Sequence, residues 1–161
     1  MSSTTAFKSI TTELSLLIII EENQFKSELK CKSFQGVFAC NELKAPMSLP
    51  ASYIVNTDPR SKPGKHWTAI YIDHHGNGEY FDSFGKKPTG LIYKFMQRTC
   101  KTIKFNKKCL QNNNSISCGV YCIYYLKHRN RFCTMSKSLR NMSSDTLLNE
   151  VRLIRFFLLN S

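Results

Sequence analysis

Residues 64–85 read GKHWTAIYIDHHGNGEYFDSFG, two aromatic and β-branched runs on either side of a glycine-containing turn. HWTAIYI (66–72) alternates as a half-buried strand does, DHHGNG is turn chemistry, and EYFDSFG (79–85) returns, so the stretch predicts a β-hairpin. Upstream, SYIVNTD (52–58) predicts a strand closed by the turn DPRSKPG. Downstream, LIYKFMQR (91–98) predicts a helix and KTIKFNKKCL (101–110) a strand. Residues 12–30, 118–129 and 145–159 have helical spacing, the last opened by Ser144 or Asp145 as N-cap. The order is helix, then strands, then a mixture.

At 161 residues and 42% hydrophobic, with 11 Phe and 7 Tyr, the chain can bury one good core but hardly two. No repeat, low-complexity tract or Pro/Gly/Ser linker divides it, so one domain spanning residues 1–161 is expected. The 7 cysteines are an odd number without the regular spacing of a secreted disulfide framework, which points to a reducing compartment. LSLLIII (14–20) is flanked by Glu13, Glu21 and Glu22; it is too short to span a membrane and reads as part of a first helix packed on the core. The net charge of +12 is segregated: between Ser83 and Ser144 there are thirteen Lys and Arg and no Asp or Glu. One sign held over so long a stretch favours contact with polyanions, DNA above all.

QNNNSIS (111–117) is again turn chemistry, and Val120, Ile123, Tyr124 and Leu126 mark a helix that begins almost at Cys118. A cysteine at a helix N-terminus faces unpaired backbone N–H groups and the positive end of the helix dipole, which stabilise a thiolate and make the sulfur a usable nucleophile. Gly119 would let another backbone approach closely, and Cys122, one turn on, reads as core. A cysteine nucleophile needs a base and a group to orient it. Of the four histidines, His74 and His75 fall in the hairpin turn and His128 at the far end of the Cys118 helix, whereas His66 stands at the mouth of a strand with Trp67 behind it as an anchor. Chain reversal near residues 74–76 brings Asp82 roughly opposite His66 with the same parity, so both side chains share a face. Asp82 can orient His66 or bond the turn amides before Gly85, and both readings stay open. Gln111, ahead of the nucleophile, can supply an amide donor to an oxyanion together with the backbone N–H of Cys118.

GKHWTAIYID, EYFDSFGKKP and LQNNNSISCGVYCIYYL resemble the adenovirus protease (adenain) family, most closely its members in Maverick/Polinton elements and related adintoviruses; FQGVFACNEL and ASYIVNTDPRSKPGKHW fit that subgroup too. The resemblance runs from about residue 25 to the last helix. It implies an α+β cysteine-proteinase fold, a central mixed sheet flanked by helices, with the triad in the order His, Asp, Cys. It further implies His66 as base, Asp82 as its orienting acid, Cys118 as nucleophile and Gln111 as oxyanion donor. The acid is typically Glu in adenoviral members, whereas Asp is what SUMO proteases use. The six residues between Gln111 and Cys118 favour the adenain side, since SUMO proteases usually leave five.

The resemblance implies a maturation endopeptidase that cuts capsid or other virion or transposon precursors beside small residues such as Gly, in the host nucleus and the virion. No cofactor is required for that chemistry, but stimulation by double-stranded DNA and by a short activating peptide is expected, with Cys100 at the position of the peptide-tethering cysteine. A monomer that does not engage membranes is expected. Two alternatives carry different functions: a SUMO or ubiquitin-like isopeptidase with the same chemistry, and a non-catalytic basic DNA-binding protein. Without a C-x-x-C pair, no metal site is expected.

Overall fold

The computed structural model describes residues 22–159. Five strands, β1 (Phe34–Ala39), β2 (Ala51–Asn56), β3 (Trp67–Ile72), β4 (Asn77–Phe81) and β5 (Thr102–Phe105), lie side by side in chain order. β2 and β4 are each antiparallel to β3, while the edge strands β1 and β5 run parallel to their neighbours. Residues 22–28 are helical (α1), followed later by α2 (Gly90–Thr99), α3 (Cys118–Arg131), α4 (Met135–Ser138) and α5 (Thr146–Leu159). The class is α+β with a mixed sheet, as expected.

Successive side chains of a strand point to opposite faces, and this sheet is covered on both. From β3, Trp67, Ala69 and Tyr71 pack with Phe25 of α1 and with α3; Ile70 and Ile72 pack with Tyr53 and Val55 of β2 beneath Ile92, Phe95 and Met96 of α2. Every residue of β2 and β3 is buried, which is why these segments read as nearly continuous apolar runs. The six consecutive residues Tyr121 to Leu126 are all buried, so α3 is enclosed on every side between the sheet and α5.

The hairpin is tighter than its sequence suggested. Asp73 Oδ1 accepts the N–H groups of His75 (2.9 Å) and Asn77 (2.8 Å), and Gly76 takes a φ of +84°. The reversal is therefore complete by Asn77; β4 starts two residues before Glu79 and stops at Phe81 instead of continuing to Gly85. Residues 82–85 form a turn closed by the Gly85 N–H on the Asp82 carbonyl (2.8 Å). The expected strand over 101–110 likewise ends at Phe105, because Asn106 leaves the ladder to bond the backbone of Asp82. β1 carries no legible strand alternation, because Gly36, at φ +133° beside a register shift, breaks it. The four-residue α4 is too short to show a period. Of the expected helix over 12–30, residues 22–28 are helical; its first part, with the apolar run 14–20, lies outside the described residues.

Candidate active site

His66 immediately precedes β3, on a segment pinned from both sides. Asn56 Oδ1, at the end of β2, accepts the N–H groups of Asp58 (2.9 Å) and Lys65 (3.2 Å), and the Thr57 N–H donates to the His66 carbonyl (2.9 Å). The next residue, Trp67, is buried edge-on against Phe25 with ring centroids 5.1 Å apart. These contacts fix where the imidazole emerges.

Asp82 is the first residue past β4. The ladder pairs Ala69 with Phe81, so its continuation sets Asp82 across from Thr68 and diagonal to His66, not opposite it. A diagonal neighbour on the same face is still within reach, and His66 Nε2 lies 3.0 Å from Asp82 Oδ1. The same oxygen accepts the Phe84 N–H at 2.8 Å, so the geometry satisfies both readings of Asp82, as turn former and as partner of His66. The Phe84 ring leans over the imidazole at 5.2 Å. His66 and Asp82 side chains are only 14% and 4% exposed. Burial opposes a charge on the imidazole, but hydrogen bonds with Asp82 and with Cys118, reinforced by their negative charge, outweigh it and push the His66 pKa up to about 9. With Nε2 directed at Asp82, Nδ1 is the ring nitrogen left for the thiol.

Cys118 is the first residue of α3 and half-buried. Its N-cap, Ser117, gives no side-chain cap; the hydroxyl pairs instead with that of Ser115 (2.9 Å), and no acidic residue occupies the first turn. The N-terminal N–H groups of the helix are thus not claimed by their usual side-chain acceptor. Gly119 is needed for a close approach, but by a side chain and not by backbone: a Cβ there would lie 2.7 Å from Phe25 Cζ and 3.5 Å from Trp67. Phe25 and Trp67 thereby join α1, β3 and α3 directly beneath Cys118 and His66. Cys122 is fully buried in the core. His74 and His75 are exposed in the hairpin turn, and His128 lies against Tyr124 near the other end of α3.

Gln111 is buried and held at both ends of its amide. Oε1 accepts the Ser83 hydroxyl at 2.6 Å and Nε2 donates to the Ser115 carbonyl at 2.8 Å. Two contributors were missed in the sequence. Ser83 bonds Gln111 through its side chain, and its carbonyl accepts the N–H groups of Leu110 (2.7 Å) and Gln111 (3.0 Å). Asn106 pairs with the backbone of Asp82 on both sides, accepting its N–H at 2.9 Å and donating to its carbonyl at 2.6 Å. The signal for Ser83 was adjacency to Asp82; for Asn106 there was none, since a polar residue after a short strand reads only as a loop. Gly85, at φ +71°, lets the turn sit on the 107–108 backbone, where a Cβ would come within 2.7 Å of the Lys108 carbonyl carbon.

Cys100 lies elsewhere, at the end of α2 on the face of the sheet opposite α3. It is half-buried with Sγ against Gly78, and burial pushes its thiol pKa up.

The adenovirus endoprotease family matches this chain over residues 32–161. A cysteine protease of African swine fever virus is 34% identical over 89 residues, which cover 47% of this chain and 32% of that protein. The protease of ovine adenovirus D serotype 7 is 30% identical over 112 residues, covering 58% of this chain and 54% of that protein. The matched region is thus about a third of the African swine fever virus relative and about half of the adenoviral one. A crystal structure of the African swine fever virus protease has a TM-score of 0.56 at 20% identity, over 83% of this chain and 64% of that one, a likeness of fold. With 130 consecutive residues matched, the chain belongs to the adenovirus endoprotease family.

Proposed function

We propose that the chain is a cysteine endopeptidase that matures virion or transposon-encoded precursor proteins, with Cys118 as nucleophile, His66 as base, Asp82 as its orienting acid and Gln111 as oxyanion donor, the triad in the order His, Asp, Cys. One observation carries this reading: a buried His66–Asp82 pair at 3.0 Å whose ring also interacts with Cys118 at the start of α3. In the proposed reaction the Cys118 thiolate attacks the scissile carbonyl carbon, and the displaced π pair becomes an oxyanion held by the Cys118 backbone N–H and Gln111 Nε2. Protonated His66 gives its proton to the leaving amine as the C–N bond breaks. Water then adds to the thioester, His66 takes the proton of that water, and the thiolate leaves. Asp82 keeps the ring in position and offsets the imidazolium charge.

Incubation with capsid precursors of the same genetic element, followed by mass mapping of new termini, tests the reading. Cuts beside small residues are expected, lost in Cys118→Ala and in His66→Ala. Cleavage that persists in Cys118→Ala would refute it.

A second reading, a SUMO or ubiquitin-like isopeptidase, is favoured by the choice of Asp at residue 82 and by African swine fever virus relatives named SUMO-1 cysteine protease, 33% identical over 89 residues. Competition between a SUMO conjugate and a capsid precursor separates the two.

The reading extends to regulation and place of action. Eleven of the thirteen Lys and Arg between Ser83 and Ser144 have no carboxylate partner among the described residues, which supports DNA stimulation. Cys100 is a free thiol between the end of α2 and edge strand β5, which supports a peptide joined there. Action of a monomer in the host nucleus and the virion, within a Maverick/Polinton-type element, completes the reading; of this, the seven free cysteines support only a reducing compartment.

A further inference from the structure

We propose that Ser83 is a positioning residue for the oxyanion site: its hydroxyl holds the Gln111 amide so that one Nε2 hydrogen stays available to the developing oxyanion. The inference rests on the role given to Gln111 above. Three groups determine the pose of that amide. The Ser115 carbonyl can only accept, and at 2.8 Å from Nε2 it binds one of the two amide hydrogens. The Ser83 hydroxyl, at 2.6 Å, donates to Oε1. The main chain is anchored by the Gln111 N–H on the Ser83 carbonyl at 3.0 Å. What remains unassigned on the amide is the second Nε2 hydrogen, the one a neighbouring oxyanion can take.

Ser83 is fully buried and Gln111 is 1% exposed. Water therefore cannot replace a lost hydroxyl at Oε1 without cost, and a buried carbonyl oxygen deprived of its donor favours rotamers that find another. The hydrogen bond from Ser83 also draws electron density toward Oε1, which makes the opposite N–H a stronger donor. Because Ser83 follows Asp82 directly, the turn that presents the acid to His66 also orients Gln111. The two halves of the catalytic arrangement are thereby held by one four-residue turn, residues 82–85.

The test is a double-substitution cycle on the full chain, with rates normalised to titrated active thiol so that misfolded protein is not counted. Ser83→Ala is expected to lower kcat about tenfold with KM changed by less than about twofold, a part of the 10²-fold or greater loss expected for Gln111→Ala. In the Gln111→Ala background, Ser83→Ala should have no further effect on kcat. A peptide aldehyde, which adds the thiol to form a tetrahedral adduct, should lose affinity for Ser83→Ala by the same factor as kcat, while binding of the uncleaved amide does not change. Ser83→Cys, which keeps a weak donor of similar size, should recover part of the rate. If Ser83→Ala slows turnover by the same factor in both backgrounds, its role is general packing and the inference is overturned, while the assignment of Gln111 stands. If Gln111→Ala itself leaves kcat unchanged, the oxyanion assignment fails and the role of Ser83 fails with it.

Discussion

His66 Nε2 and Asp82 Oδ1 lie 3.0 Å apart although the ladder that joins their strands would set Asp82 across from Thr68. The contact is made by the turn after β4, not by strand pairing, and together with the interaction with Cys118 it raises the His66 pKa to about 9 against the opposing effect of burial. A histidine bound more tightly to its proton in the folded state adds stability below its unfolded pKa of 6.5, and that stability is lost as pH rises through about 9. The expected loss is on the order of 3 kcal/mol across that window. Denaturant unfolding of the native protein and of Asp82→Asn between these pH values checks it: the stability gap between them should narrow as pH rises. A constant gap would mean that the pair does not bind its proton more tightly when folded.

Cys118 should be the first thiol alkylated by limiting iodoacetamide at mildly acidic pH. Burial raises the pKa of Cys40 and Cys100, and Cys122 is inaccessible, so the competitors are the exposed Cys31, Cys109 and Cys133. None of these three begins a helix beside an imidazolium. Mass mapping of the labelled peptides is the measurement, and labelling spread evenly over the exposed thiols would count against the nucleophile assignment.

What could be read from the sequence was what repeats or sits locally. The alternation of residues 66–72 and the turn formers after them show the hairpin, and a shared parity is enough to put His66 and Asp82 on one face. The start of α3 at Cys118 follows from a polar run giving way to a helical period. What could not be read depends on contacts distant in sequence. Asn106 meets Asp82 across 24 positions and Ser83 meets Gln111 across 28, and neither spacing leaves a local pattern. The end of β4 at Phe81 is of the same kind: Asp82 has strand-like neighbours, but its N–H and carbonyl are taken by a side chain in place of a strand.

Asn106→Ala should therefore affect the chemistry as well as the fold. It removes the side chain that binds both backbone groups of buried Asp82; the carbonyl keeps the Gly85 N–H, but the buried Asp82 N–H loses its acceptor, at about 1–3 kcal/mol. It also frees the turn that aims the carboxylate, so kcat should fall about 10- to 100-fold with little change in KM. Steady-state kinetics beside thermal unfolding separates the two effects; a variant that loses stability but keeps kcat would make Asn106 purely structural.

Gly119→Ala places a methyl group 2.7 Å from Phe25 Cζ, on helix α1. The overpacking should cost about 1–3 kcal/mol. Shortening the opposing ring relieves it, so Gly119→Ala with Phe25→Leu should be less destabilised than the sum of the single changes. Additive losses would show that the methyl group is accommodated without moving Phe25.

The last expectation concerns the basic surface. Of the thirteen cations between Ser83 and Ser144, Arg129 pairs with Glu79 at 2.7 Å and Lys127 with Glu28, both acids lying outside the span, and the other eleven have no carboxylate partner among the described residues. Arg140, Arg152 and Arg155 converge on one cleft of about 550 Å³ beside Tyr124 and His128. His128 registers that environment: burial lowers its pKa, and the charges of Arg131 and Arg140 lower it further. If such a surface meets DNA, each contact releases condensed counterions, so the logarithm of affinity should fall linearly with the logarithm of salt, by about 0.9 for each phosphate neutralised. Double-stranded DNA should accordingly raise peptide hydrolysis at low salt and do so progressively less as salt increases. Arg140→Gln with Arg155→Gln should flatten the salt dependence of DNA binding by about 2 in slope if both guanidinium groups meet phosphates. Hydrolysis measured with and without DNA across a salt series decides the matter: a response that is flat at every salt concentration would leave these cations with no part in regulating the enzyme.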